Sequence, residues 1–377
     1  MKPALRTPLL NLHLWAGLSA GLVLIFIALT GGVLIFRPTL ERPMDAARFV
    51  VAAGATRLAP DELVARARVA NPSAELESVR FYGDPTAPFL VYFKDKRYVH
   101  LDPHTGAVLG VRRRYGEGFG WIEGLHKYIG FAPSALGENI NGTFALVFAG
   151  IIGTGLVLWW PATRRALVAG LTLNFKLSGR PWNLNLHKTI GAFAALVLLA
   201  SAFTGVPIAF DSVKASLYPL TFSTKAPLPE VALTAAPFAG FTVIAERVEQ
   251  LMPGARETYI PLPKSGLVAA YAIAADAPHG TARSYAWFDG ASAQLLRSQP
   301  YAQAPAGFRL YYWMMALHLG YVGGWPVKII MLLATLAVPV LAWTGTASYL
   351  KRRAAKAAHQ ASAGNFVAAP PVPVSTR

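Results

Sequence analysis

Four of the eight histidines lie at or near the starts of apolar runs, in fragments that look alike: "LHLWAG" (12–17), "LHKYIG" (125–130), "LHKTIG" (186–191) and "LHLGYVGG" (317–324). His13, His126 and His187 are each followed four residues later by a glycine, at Gly17, Gly130 and Gly191; after His318 that position is Val322. A neutral imidazole can ligate a metal, shuttle a proton or hydrogen-bond a neighbouring helix. An ionisable side chain set in a membrane segment is a functional candidate by default. His100, His104, His279 and His359 fall in turns, polar blocks or the tail, where solvated loop roles are expected.

The elements that must position these histidines follow from composition. Of 377 residues, 54% are hydrophobic and only 14% charged, too apolar for an ordinary soluble chain. Four runs, about 10–36, 142–160, 187–210 and 326–349, reach the roughly 20 residues that a helix needs to cross a bilayer. The first is too long for a signal-peptide core and no A-x-A-like site follows it, so it is expected to remain as a helix. The only short connection, "PATRRALVAGLTLNFKLSGRPWN", carries Arg164, Arg165, Lys176 and Arg180 and no acid. With Lys2 and Arg6 before the first run and "YLKRRAAKAAH" after the last, the positive-inside rule puts both termini in the cytoplasm and two large polar blocks outside. These flanks and Arg112, Arg113 and Arg114 account for much of the net charge of +16, so nucleic acid is not an expected partner and membrane lipid is. Cysteine is absent. That excludes disulfides, thiolate metal sites and covalent c-type haem attachment.

The chain is internally duplicated. Residues 12–36 align without a gap with 186–210, sharing Leu-His, a glycine four residues on, and a Thr-Gly pair seventeen residues after the histidine (Thr30-Gly31 and Thr204-Gly205). "GTGLVLWW" and "WTGTASYL" carry the matching Thr154-Gly155 and Thr344-Gly345. In the polar blocks, "APDELVARARVANP" and "FTVIAERVEQLMPG" read as helices, and "YVHLDPHTGAVLG" (98–110) and "YAWFDGASAQLL" (285–296) as strand, Asx-type turn, strand. The expected fold is a membrane protein of four transmembrane α-helices in two parallel-repeat halves, each carrying an extramembrane α+β block.

Depth then pairs the histidines. His13 and His187 belong near the cytoplasmic face, and His126 and His318 near the outer one. Two imidazoles facing each other across a pseudo-twofold axis suit the axial positions of haem iron. Gly17, Gly130 and Gly191, on the same helix face as their histidines, would leave room for the flat macrocycle; Gly320 and Gly323 are the nearest candidates beside His318. Zinc or copper would want more ligands than two, and a proton relay would not need the glycines. The reading is two haems b, with Lys188, Lys127 and Arg309 as candidate propionate partners. Such a pair would carry electrons from the cytoplasmic to the outer face. An acceptor would be met among Trp121, Phe131, Tyr311, Tyr312, Trp313, Tyr321 and Trp325. No P-loop occurs and no G-x-G-x-x-G follows a strand, so the electron donor, cytoplasmic or in the membrane, is expected to be separate.

The run "LHLWAGLSAGLVLIFIALTGGVLIF", the ending "WWPATRR" and the paired "HLDPHTGAVLG"-like hairpins resemble the PepSY-associated membrane-helix family, which includes iron-regulated inner-membrane proteins and FoxB-type ferric-siderophore reductases. The resemblance covers nearly the whole chain, excluding the Ala/Pro-rich tail from about 354. It implies a Gram-negative inner-membrane protein with two periplasmic PepSY-like domains, organised as 1–36 (N-terminus and first span), 37–120 (first domain), 121–160 (juxtamembrane segment and second span), 161–185 (cytoplasmic loop), 186–210 (third span), 211–308 (second domain), 309–350 (juxtamembrane segment and fourth span) and 351–377 (cytoplasmic tail). It also implies haem ligation by His13, His126, His187 and His318, and reduction of Fe(III) to Fe(II) in a siderophore of hydroxamate type. Alternatives are an electron-transfer subunit serving copper, a quinone or a partner enzyme, and a non-enzymatic protein whose PepSY-like blocks bind a periplasmic partner.

Overall fold

The first half of the chain runs α1 (Pro3–Leu34), α2 (Arg37–Met44), α3 (Ala46–Phe49), α4 (Pro60–Ala70), β1 (Leu76–Tyr82), β2 (Phe89–Phe93), β3 (Arg97–Leu101), β4 (Val108–Arg113), α5 (Gly118–Tyr128), α6 (Ala135–Trp159) and α7 (Arg164–Leu171). The second half repeats the plan with α8 (Gly179–Ala209), α9 (Asp211–Leu220), α10 (Phe241–Leu251), β5 (Glu257–Pro261), β6 (Leu267–Ile273), β7 (Arg283–Asp289), β8 (Leu295–Gln299), α11 (Ala306–His318) and α12 (Gly324–Val367). The computed structural model describes residues 3–54, 56–231 and 236–367; Lys2 and the tail beyond Val367 lie outside the described residues. Among them, four helical stretches are long and apolar enough to cross a membrane: Ala4–Leu34, Ala135–Trp159, Gly179–Ala209 and Gly324–Gln360. Each overlaps one of the four runs read from hydropathy, the first three ending one or two residues short of the run. The chain divides into two units, Met1–Leu29, Leu146–Ala200 and Leu333–Arg377 in one, Thr30–Ala145 and Ser201–Leu332 in the other.

In the second unit the two polar blocks do not form separate sheets. Their strands make one eight-stranded antiparallel sheet in the order β4-β3-β2-β1-β5-β6-β7-β8, closed at its centre where β1 pairs β5 from Ser78↔Pro261 to Tyr82↔Glu257. Alternation within each strand gives the sheet two faces. On one, Val79, Val91, Phe93, Val99, Leu101, Ile260, Val268 and Phe288 pack against Leu63, Val64 and Ala67 of α4 and Ile244 and Val248 of α10. The hairpin turns obey the Asx reading: Asp102 Oδ1 accepts from the amides of His104 and Thr105, and Asp289 Oδ1 from those of Ala291 and Ser292.

The opposite face is polar and aromatic. A transverse row crosses it through the cross-strand pairs Arg112↔Tyr98, Tyr98↔Tyr92, Arg80↔Tyr259, Tyr259↔Tyr271 and Tyr271↔Tyr285. Helices cap the two ends of this row. Glu41 of α2 accepts from Arg112 at 3.2 Å and Phe49 of α3 lies against His100, while Phe308 and Tyr312 of α11 meet Tyr285 at the other end.

Two sequence expectations change here. His100 and His279 are not solvated loop residues. His100 is in β3 and 1% exposed, and His279 is 4% exposed, bonded to Tyr301 Oη and Thr281 Oγ1. Both look polar in sequence because the covering elements, α3 and α11, are distant in the chain. Arg112 and Arg113 end β4, and Arg112 is buried in its ion pair with Glu41.

Burial, helped by the Arg112 charge, lowers the His100 pKa from 6.5 to about 4; a hydrogen bond to the Arg48 backbone and the Asp45 carboxylate oppose the shift, and the Arg48 charge adds to it. The unfolded chain therefore takes up a proton below about 6.5 that the folded chain refuses until about 4. Stability is expected to fall across that window as the pH drops, and to be indifferent to this group above it. His100→Gln should flatten the pH dependence of the thermal midpoint between those limits, and an unchanged slope would contradict this account.

Candidate functional site

The first unit brings His13 of α1 and His187 of α8 together, with ring centroids 6.1 Å apart and ring planes at 89°. The second unit does the same for His126 of α5 and His318 of α11, at 6.3 Å and 44°. If two imidazole nitrogens each lay about 2 Å from a metal between them, and each ring centre about 1 Å behind its nitrogen, the centroids would be roughly 6 Å apart. Both pairs have that spacing. Among the described residues no group of three or more His, Cys, Asp or Glu is placed to hold a metal ion. Each pair therefore offers two neutral nitrogen donors, the set that a macrocycle supplying the other four ligands requires. The residues present fit a bis-histidine haem.

What orients each imidazole is the Thr-Gly pair on the other long helix of its own half. His13 Nδ1 donates to the carbonyl of Ile151 (3.0 Å) and lies 3.2 Å from Thr154 Oγ1 on α6. His187 Nδ1 donates to the carbonyl of Leu341 (3.1 Å), with Thr344 Oγ1 of α12 at 3.1 Å. In the second unit His318 Nδ1 donates to the carbonyl of Ser201 (3.0 Å) beside Thr204 Oγ1 of α8, and His126 Nδ1 lies 3.2 Å from Thr30 Oγ1 of α1. A carbonyl oxygen only accepts, so the proton of His13, His187 and His318 sits on Nδ1 and the lone pair on Nε2. That tautomer is the one a metal ligand needs, and the backbone bond makes the ring more basic. Burial holds the His318 imidazole below its ordinary pKa, which keeps it neutral.

The glycine of each pair makes room for the ring. A Cβ on Gly31 would lie 2.9 Å from His126 Cε1, one on Gly155 3.0 Å from His13 Cε1, and one on Gly205 3.0 Å from His318 Cε1; Gly345 leaves 3.5 Å to His187. The glycines singled out from spacing stand differently. A Cβ on Gly17 or Gly130 would meet nothing within 4 Å, and one on Gly191 would touch only Leu341 at 3.5 Å. Gly130 also has φ +80°, following Ile129 at the left-handed end of α5, so the backbone itself favours glycine there. Sequence reading marked the Thr-Gly pairs as signs of duplication but gave them no task. The signal was present, because each pair recurs at a fixed distance from a histidine.

The candidate propionate partner Lys127 pairs with Glu138 at 3.1 Å. Of the aromatics grouped near an acceptor, Tyr311 and Tyr312 are buried against Leu217, Ala282 and Tyr301, while Trp121, Phe131 and Trp325 are exposed.

Thr344→Val removes one polar contact to His187 and keeps the Leu341 carbonyl. Losing such a supporting partner costs a metal site about 10–100-fold in affinity. The variant is expected to retain its fold and release haem faster from the His13–His187 site, measured by transfer to an apo-globin acceptor. Release at the native rate would show that the threonine plays no part.

A profile described as the PepSY-associated TM region matches residues 10–352. No curated protein matches the chain.

Proposed function

The chain belongs to the PepSY-associated transmembrane family, and from that premise we propose that it is a di-haem reductase of the bacterial inner membrane that delivers electrons to a periplasmic ferric siderophore. The observation that carries the reading is the pair of facing imidazoles, 6.1 and 6.3 Å between centroids, built twice from the same Thr-Gly device. Haem, when bound, supplies one-electron exchange between its ferric and ferrous states.

The chain's own part is to hold and to orient. His13 and His187 present Nε2 at the cytoplasmic end, with Arg164, Arg165, Lys176 and Arg180 on the flanking loop; His126 and His318 do so at the periplasmic end. At the periplasmic side one electron converts chelated Fe(III) to Fe(II), no bond to the protein forms, and the hydroxamate oxygens lose affinity for the softer, less charged ion. A separate reductant on the cytoplasmic side provides that electron. No acid–base residue is required.

The test is direct. Purified protein reduced with dithionite under argon is expected to show a low-spin bis-histidine haem spectrum, and mixing with a ferric trihydroxamate should return it to the oxidised form while a ferrous indicator records Fe(II). A protein with no reducible haem ends the redox reading. A reduced protein that ignores every ferric chelate but is oxidised by a quinone or a copper complex transfers the assignment to an electron-transfer subunit.

A further inference from the structure

The transverse row on the polar face of the sheet has no task in the account above. Its centre, over β1, β5 and β6, lies between the part covered by α2 and α3 and the part covered by α11. Tyr259 and Tyr271 stack there with centroids 5.0 Å apart and planes at 21°. Arg80 lies over the Tyr259 ring and bonds Tyr271 Oη at 3.2 Å, and Arg283 lies 4.3 Å over the Tyr271 ring. Arg80 meets one carboxylate, Glu257, at 3.5 Å, with side chains 27% and 19% exposed. No ion pair to Arg283 occurs among the described residues. The strip therefore keeps uncompensated positive charge beside a stack of tyrosine rings.

A second observation points the same way. Among the described residues Arg80 Nε, at the centre of the strip, is a buried donor without a hydrogen bond, its nearest carboxylate being Glu257 at 3.5 Å. A buried donor short of an acceptor is costly, and a ligand oxygen would satisfy it.

We propose that this strip, built around Tyr259 and Tyr271 and flanked by Arg80 and Arg283, binds the ferric chelate and selects it as an anionic, carboxylate-bearing complex. The proposal rests on the reductase reading for the identity of its ligand. Guanidinium groups pair with carboxylates in a planar, two-bond geometry, and the half-buried edge of the Tyr259 ring would meet the chelate's organic rim. A cationic hydroxamate complex would meet two arginines and gain nothing from them.

The experiment uses redox-inert gallium, so that binding is read apart from electron transfer. The haem-loaded protein, with propionates already seated, is placed in zwitterionic nanodiscs that present no anionic headgroup. It is titrated calorimetrically with two probes: the gallium(III) complex of a citrate-based dihydroxamate, which is anionic, and that of a linear trihydroxamate with a free amine, which is cationic. The anionic probe is expected to bind about tenfold tighter or more. Arg283→Gln should abolish that preference with the haem spectrum unchanged, and Arg80→Gln, read in parallel, should do the same should the first variant fold poorly. Equal binding of the two probes, a preference for the cationic one, no binding of either, or native affinity in both variants would overturn the site. Failure of the two readings is separable. If the gallium results hold and ferric chelates leave the reduced protein untouched, the reductase reading falls and the site stands; if ferric chelates oxidise the protein and both variants bind gallium normally, the site falls alone.

Discussion

His13→Ala is expected to lower the haem content from about two per chain to about one, with the remaining haem held by His126 and His318. The selectivity follows from the construction of the sites. Every side chain given to the His13–His187 pair, namely Thr154, Gly155, Thr344 and Gly345, belongs to the first unit, and the partners of the other pair, Thr30, Gly31, Thr204 and Gly205, belong to the second. Removing one imidazole leaves the iron with a single protein ligand and a gap where the ring stood. It does not touch the hydrogen bonds that hold the second pair. Haemochrome quantitation per mole of protein decides the matter, with a redox titration to show that one component has gone and the other has kept its potential. Retention of both haems would remove His13 from the ligand set. Loss of both would mean that the sites depend on each other in a way that their separate partners do not suggest.

The second large effect belongs to the glycines. Gly205→Val places a branched side chain where even a Cβ would stand 3.0 Å from His318 Cε1, a distance at which the ring must move. The imidazole cannot move without losing the Ser201 carbonyl, so its tautomer and its aim are lost together. The expected result is a protein that still folds but lacks the haem between His126 and His318. Gly345→Ala is the internal control. Its Cβ would stand 3.5 Å from His187 Cε1, an ordinary contact, and the variant should keep both haems. If Gly205→Val binds two haems like the native protein, the close approach seen here is not what fixes the ring.

Much of this was legible in the sequence. The four spans, the duplication and the helix and hairpin signals of the polar blocks come from periodicity and turn chemistry, which are local. So do the four histidines, whose types and spacing pair them by depth alone. What was illegible depends on which distant strand or helix arrives. The Thr-Gly pairs gain meaning only when α6 lies beside α1 and α12 beside α8. Burial of His100 and His279 needs α3 and α11, and no local pattern announces a cover. The tyrosines of the row are one or two per strand, a density ordinary for β-structure; only the join of β1 to β5 lines them up.

That join bears on how the protein is made. β1 reads "LESVRFY" and is an edge strand until β5 reaches it, about 180 residues later in the chain, a separation that makes the pairing slow as well as late. At 5–20 residues per second, synthesis alone leaves the edge waiting for roughly ten to forty seconds. During that time two membrane helices must be threaded while β1 offers its free amides and carbonyls to any other strand. Glu77 and Arg80 place charge on that edge, the usual guard against such pairing. The first block is therefore an incomplete structure with a built-in delay, and the step at which this protein is most open to misassembly is the passage of its own third helix.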